Sequence, residues 1–251
     1  MPEFLNGEFF VGLFFVLVTN LILSGDNAVV IAMAARRLEG AQRQQAIVWG
    51  AAGAVALRLI FAAVVTYLIH IPFLQVAGGL LLVWIAWKLV HDDEGNDEGN
   101  EEEDRVQAGE SAWEAIRIII VADAVMSLDN VIALVQAARI DGEVSFLLLT
   151  IGLATTIPLV VFGAALLTSL LDRFPVLIYA GAGLLVYLAV EMFFGDAFLV
   201  EYMEPYVSIE WLVEVVAVAV FVAVAWAWAW RKGRAKRVEK DMKKSLEEVE
   251  K

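Results

Sequence analysis

Two short stretches place oxygen donors inside apolar runs. "NLILSGDNAVVIA", from Asn20 to Ala32, contributes Asn20, Ser24, Asp26 and Asn27; "DAVMSLDNVIALV", from Asp123 to Val135, contributes Asp123, Ser127, Asp129 and Asn130. Carboxylates, amide carbonyls and hydroxyls are hard ligands that suit magnesium, calcium and manganese, whereas imidazole and thiolate favour zinc or copper. The chain has no cysteine, and its two histidines, His70 and His91, fall at predicted segment ends. Disulfides and thiol redox chemistry are excluded with the cysteines. Met126 is the one soft atom in the cluster, one turn from Asp123 and Asn130. Its thioether would tilt preference toward manganese over calcium, although such a methionine is more often a packing residue. No nucleophile and base pair stands at depth, so an enzyme is not expected, and neither is a tightly bound cofactor.

Asn20, Ser24 and Asn27 follow i, i+4, i+7 spacing, as do Asp123, Ser127 and Asn130, so each set lines one face of a helix. Asp26 and Asp129 lie about 100° off that stripe on an ideal helix. A local break would turn them inward, and "SGDN" supplies the chemistry for one: Gly accepts any backbone conformation, while Asp and Asn bond nearby amides. The second copy has Leu128 where the first has Gly25, which makes unwinding there less expected.

Carboxylates near a bilayer centre are costly and face a cavity, pair with a cation or carry protons. The nearest candidate counter-charge is Arg58, expected to pair an aspartate when the site is empty. One arginine cannot balance Asp26, Asp123 and Asp129, which points to a cationic substrate. Release of a divalent ion from three acids requires a competitor, and protons would provide one, giving exchange of metal for protons.

The elements that position these residues are membrane helices. The chain has 251 residues, 61% of them hydrophobic, so it reads as a polytopic membrane protein in a lipid bilayer. About 20 apolar residues cross the hydrocarbon core, and seven runs qualify: 9–34, 45–69, 72–90, 112–138, 144–170, 175–194 and 208–230. The first lacks the basic flank and cleavage signature of a signal peptide. Much of the net charge of -13 is local, because Asp92 to Asp104 holds nine acidic residues and no basic one, as expected of a solvated linker. Nothing in this balance suggests a nucleic-acid partner.

Lysine and arginine mark cytoplasmic loops. With the N-terminus outside, Arg36, Arg37, Arg43, Arg105, Arg117, Arg173 and the tail from Arg231 fall inside, and Arg139 is left outside. The expected topology is therefore N-out, C-in, in the cell membrane. Trp226, Trp228 and Trp230 fit an aromatic belt at the cytoplasmic interface or packing against neighbouring helices.

A shift of 103 residues superposes Ser24 on Ser127, Asp26 on Asp129, Asn27 on Asn130 and Asn20 on Asp123, and "GGLLLVWIAWK" from Gly78 on "GAGLLVYLAVE" from Gly181. Each half contains three spans, so the second copy enters from the opposite side: an inverted-topology repeat, with the site where the halves meet. The fold expected is all-α, seven transmembrane helices: a first repeat at 1–91, an acidic cytoplasmic linker at 92–110, the inverted repeat at 111–194, an outer loop and seventh helix at 195–230, and a basic tail at 231–251. The seventh helix, without a partner in the repeat, is a candidate oligomer contact.

Other polar residues carry blander expectations. Thr155, Thr156 and Pro158 line the same cavity or simply pack. Lys88 and Glu191 snorkel at span ends. Ser111 and Glu114 form a capping box that starts the fourth span, and Glu210 and Glu214 are exposed at the interface.

"SGDNAVVIA" at Ser24 to Ala32 and "DAVMSLDNVIAL" at Asp123 to Leu134, in a seven-span chain with an acidic central loop, resemble the TerC family of integral membrane proteins, across residues 8 to 194. The resemblance implies a protein of the lysine-exporter-like superfamily. Bacterial relatives are associated with manganese export, and the motif aspartates, here Asp26, Asp123 and Asp129, are the metal-binding residues it implies. It also carries other associations: tellurite resistance, calcium or general metal stress, and assembly or insertion of membrane proteins. The leading expectation is an exporter of a divalent cation, manganese foremost, with one site between the first and fourth spans; the rivals are a calcium or broader metal or tellurite resistance transporter and, in a different class, an insertion factor with a wide amphipathic groove open to lipid.

Overall fold

The computed structural model describes residues 7–68, 71–91, 101–140 and 143–249; the side chains of Glu8, Ile22, Thr66, 101–111, Leu128, Asp129, Ile140, Glu143 and 235–249 lie outside that description, as do His70 and residues 92–100 of the acidic linker. Among the described residues the regular structure is helical apart from a two-residue antiparallel ladder, β1 (Arg139–Ile140) with β2 (Glu143–Val144). The helices are α1 (Gly7–Ile22), α2 (Gly25–Ala35), α3 (Gly40–Leu68), α4 (Leu74–His91), α5 (Glu101–Ala137), α6 (Phe146–Arg173), α7 (Leu177–Gly195), the short α8 (Val200–Met203) and α9 (Glu210–Val249). Among the described residues five helices are long and apolar enough to cross a membrane, or seven if each of two bent pairs counts as one span.

The bends fall on the two motifs. α1 and α2 meet at 50° across Leu23 and Ser24, and α5 turns by 68° between its Ala112–Ser127 and Asn130–Ala137 parts. Ser24 sits at φ -118°, ψ 0°, between the helical and extended basins. The second bend is the sharper although it has Leu128 in place of glycine, so glycine is not what permits it; α5 stays helical throughout while changing direction.

α3 packs along α5, and α1 with α2 packs along α6; α4 pairs with α7, and α9 covers α7. The α4–α7 pair is close because it is made of small residues: a Cβ on Gly79 would lie 2.8 Å from the carbonyl oxygen of Ala189. Backbones in lipid associate through such contacts. Two apolar clusters bracket the middle of the bundle. One joins Phe9, Val16, Val131, Leu148, Leu149 and Leu153 at the end where α1 starts. The larger one joins Ile31, Ala35, Leu38, Ala51, Leu171 and Ile178 at the α2–α3 end and spreads along α4 and α7.

Two expectations are corrected. Ser111 does not start a helix, since α5 begins at Glu101 and runs through it, as glutamate, arginine, glutamine and alanine allow; Glu114 pairs with Lys88 instead. Glu214 is buried at 8% exposure rather than exposed, because its face of α9 turns toward α7 near Tyr187.

Candidate functional site

The break after α1 releases backbone groups that the motif asparagines then use. The carbonyl of Leu23 accepts a hydrogen bond from Asn27 Nδ2 and another from Asn130 Nδ2, each at 3.4 Å, so the two motifs meet at one backbone oxygen. One turn earlier the stripes repeat each other in three dimensions. Ser24 Oγ donates to Asn20 Oδ1 at 3.0 Å, and Ser127 Oγ donates to Asp123 Oδ2 at 3.1 Å.

Arg58, from the middle of α3, joins the stripes. Its Nη2 donates to Asp123 Oδ1 at 2.6 Å, its Nη1 to Asn20 Oδ1 at 2.8 Å and its Nε to Ser127 Oγ at 3.0 Å. Arg58 and Asp123 expose only 4% and 7% of their side chains, so each charge depends on the other for compensation. On the α6 side Asn20 Nδ2 donates to Thr156 Oγ1 at 2.7 Å, and Thr156 Oγ1 in turn donates to the carbonyl of Leu153 at 2.8 Å. Pro158 stays inside α6, and the exposed Thr155 bonds the Ile151 carbonyl and takes no part.

A cavity of about 20 Å³ adjoins this network, lined by Ser24, Asn27, Arg58, Asp123 and Thr156 with apolar walls from Ile31, Ala51, Ala54, Val55, Ile157 and Val160. On the scale where roughly 10–15 Å³ admits one water, the space suits a single small guest. Asn27 Oδ1, on one of the lining residues, is buried with no hydrogen-bond partner. A buried orphan acceptor costs about 1–3 kcal/mol, which a ligand offering positive charge would recover.

The structure thus brings together Asn20, Ser24, Asn27, Asp123 and Ser127, with Asn130 at their edge. Asp26 is half-buried at the start of α2; its Oδ1 accepts the backbone N–H of Asn27 at 2.8 Å, and it stands outside the cavity lining. The Asp129 side chain lies outside the described residues. Met126 is buried in the larger apolar cluster. Among the described residues no three acidic or histidine side chains converge in the manner of a preformed metal cage. Arg58 and Thr156 complete the network from α3 and α6; an arginine within an apolar run and a threonine pair beside a proline were the signals that pointed to them.

The profile of the integral membrane protein TerC family matches residues 5–235. The chain belongs to the TerC family. This TerC protein is 41% identical over 209 residues to the uncharacterized membrane protein YjbE of Bacillus subtilis, covering 83% of this chain and 91% of that one. It is 30% identical over 140 residues to the UPF0053 protein YegH of Escherichia coli, covering 49% of this chain but 26% of that longer protein. It is also 29% identical over 115 residues to the uncharacterized membrane protein YceF of Bacillus subtilis, 45% of either chain. No solved structure matches it.

Proposed function

We propose that this TerC protein exports a divalent cation from the cytoplasm, manganese first among the hard cations, in exchange for protons. The orphaned Asn27 Oδ1, on a residue that lines a small cavity together with Asp123, carries this reading. The groups there that could accept a cation offer oxygen, as carboxylate, amide carbonyl and hydroxyl, beside the guanidinium of Arg58, and Met126 is turned into the core. Compactness weighs against the insertion-factor reading, which needs a wide groove open to lipid.

The site sits between two inverted three-helix repeats. That arrangement draws support from the packing, because exchanging the repeats turns the α3–α5 contact into the contact of α6 with α1 and α2, and returns α4–α7 to itself. The proposed topology is N-out, C-in in the cell membrane, with the seventh span, α9, as a contact for a second copy.

The test is flux in proteoliposomes across manganese, calcium, magnesium and zinc, with and without a pH gradient, for wild type, Asp123→Asn, Asp26→Asn and Asp129→Asn. Undiminished flux in all three variants would sink the site, indifference to the pH gradient would remove the proton coupling, and no flux of any metal would favour the insertion reading.

A further inference from the structure

The guanidinium of Arg58 occupies the place where a substrate cation would find its ligands. It bonds Asn20 and Asp123, which are equivalent positions in the two halves of the sequence, and Ser127 one turn on from Asp123. Those acceptors are thereby occupied, while the buried Oδ1 of Asn27, a residue that lines the adjoining cavity, is left without a donor. Arginine suits this role physically: it keeps its charge at any physiological pH, offers several donors in a fixed fork, and swings on a long flexible stem.

We propose that Arg58 is a tethered counter-cation, seated on Asp123, Asn20 and Ser127 when the site is empty and displaced from them when a divalent cation binds. The proposal rests on the exporter reading and deepens it. A site that held Asp123 bare after releasing its ion would carry an uncompensated buried charge through the return step. With Arg58 seated, Asp123 is neutralised without waiting for a proton. The metal must then outcompete an internal cation, which lowers its affinity and speeds release. The effective concentration of a tethered competitor is high because it cannot diffuse away. Proton exchange is left to the carboxylates Arg58 does not reach, Asp26 in the described residues among them.

Loss of a purely structural strut loosens a site and weakens binding; loss of a competitor tightens it. The experiment is calorimetric manganese binding to the full chain in lipid nanodiscs, for wild type, Arg58→Gln and Arg58→Lys, followed by manganese flux in proteoliposomes. Arg58→Gln is expected to bind about tenfold tighter or more, to lose net efflux, and to keep exchange of manganese on one side for manganese on the other. Arg58→Lys, which retains a charge but not the three-way fork, is expected to tighten binding by a smaller factor; it carries the test should the glutamine variant fail to fold. Unchanged or weaker binding in the folded variants overturns the proposal and leaves the exporter reading standing. Absence of manganese, magnesium and calcium binding in the wild type overturns both.

Discussion

Arg43 Nη1 lies 2.8 Å from Asp172 Oδ2, tying the start of α3 to the end of α6. The same guanidinium donates to the carbonyl of Arg36 at 2.7 Å and to that of Leu38, capping the end of α2. Gly40, at φ +52°, supplies the left-handed residue that turns the chain tightly enough for Arg43 to reach back. One side chain therefore holds the far end of α2 against the end of α6.

The Arg43–Asp172 pair is partly exposed, at 27% and 43% of the two side chains, so its loss should cost under about 1 kcal/mol. Asp172→Asn is expected to unfold within a few degrees of wild type, yet to let α2 part from α6 more often. The chain is free of cysteine, so a single cysteine placed at Ile31 in the cavity wall reports this directly. Faster thiol labelling at that position in Asp172→Asn is the expected result, and equal labelling would remove the latch role.

Thr156 is the acceptor that orients the amide of Asn20. Thr156→Val leaves a buried donor unpaired and should destabilise the protein by about 1–3 kcal/mol, visible as a lower unfolding temperature. Thr156→Ser keeps the hydroxyl and should restore most of the loss.

Ser24 and Ser127 are equivalent in sequence but not in connection. Ser24 Oγ donates to Asn20, whereas Ser127 Oγ donates to Asp123 and also accepts from Arg58. Ser127→Ala should therefore perturb manganese affinity more than Ser24→Ala does, roughly severalfold, since hydrogen bonds to charged groups are worth about 1.5–3 kcal/mol. Equal effects in a binding titration would contradict the asymmetric network.

Gly79→Ala would force a methyl group against the Ala189 carbonyl, 2.8 Å away, and should cost about 1–3 kcal/mol by overpacking. Gly163→Ala is the control, because the first atom its methyl meets is Ala28 Cβ at 3.9 Å. Thermal unfolding of both variants in the same detergent separates them.

Much of this arrangement could be read along the chain. The i, i+4, i+7 spacing groups Asn20, Ser24 and Asn27 in one stripe and Asp123, Ser127 and Asn130 in another, and in the structure Ser24 bonds Asn20 and Ser127 bonds Asp123 one turn apart, even though α1 breaks before Ser24. The apolar runs all fall on helices, but the first covers both α1 and α2, and α5 and α9 extend well beyond theirs. What escaped was set by tertiary contact. Arg58 chooses Asp123 over Asp26 because α3 lies along α5, a fact that no spacing encodes. Asp26 was expected to turn inward at the break, but the Asn27 amide beside it takes one of its oxygens. Ser111 looked like a cap because its local pattern fits one, while the residues before it continue the helix.

The apolar cluster of Phe9, Val16, Leu148, Leu149 and Leu153 has a kinetic meaning under the exporter reading. Interdigitated leucines offer no file of water, so an ion leaving the cavity in that direction must wait for helices to unpack. Throughput would then be limited by how often that greasy stopper lifts, with a steep dependence on temperature and membrane fluidity, and not by diffusion of the ion.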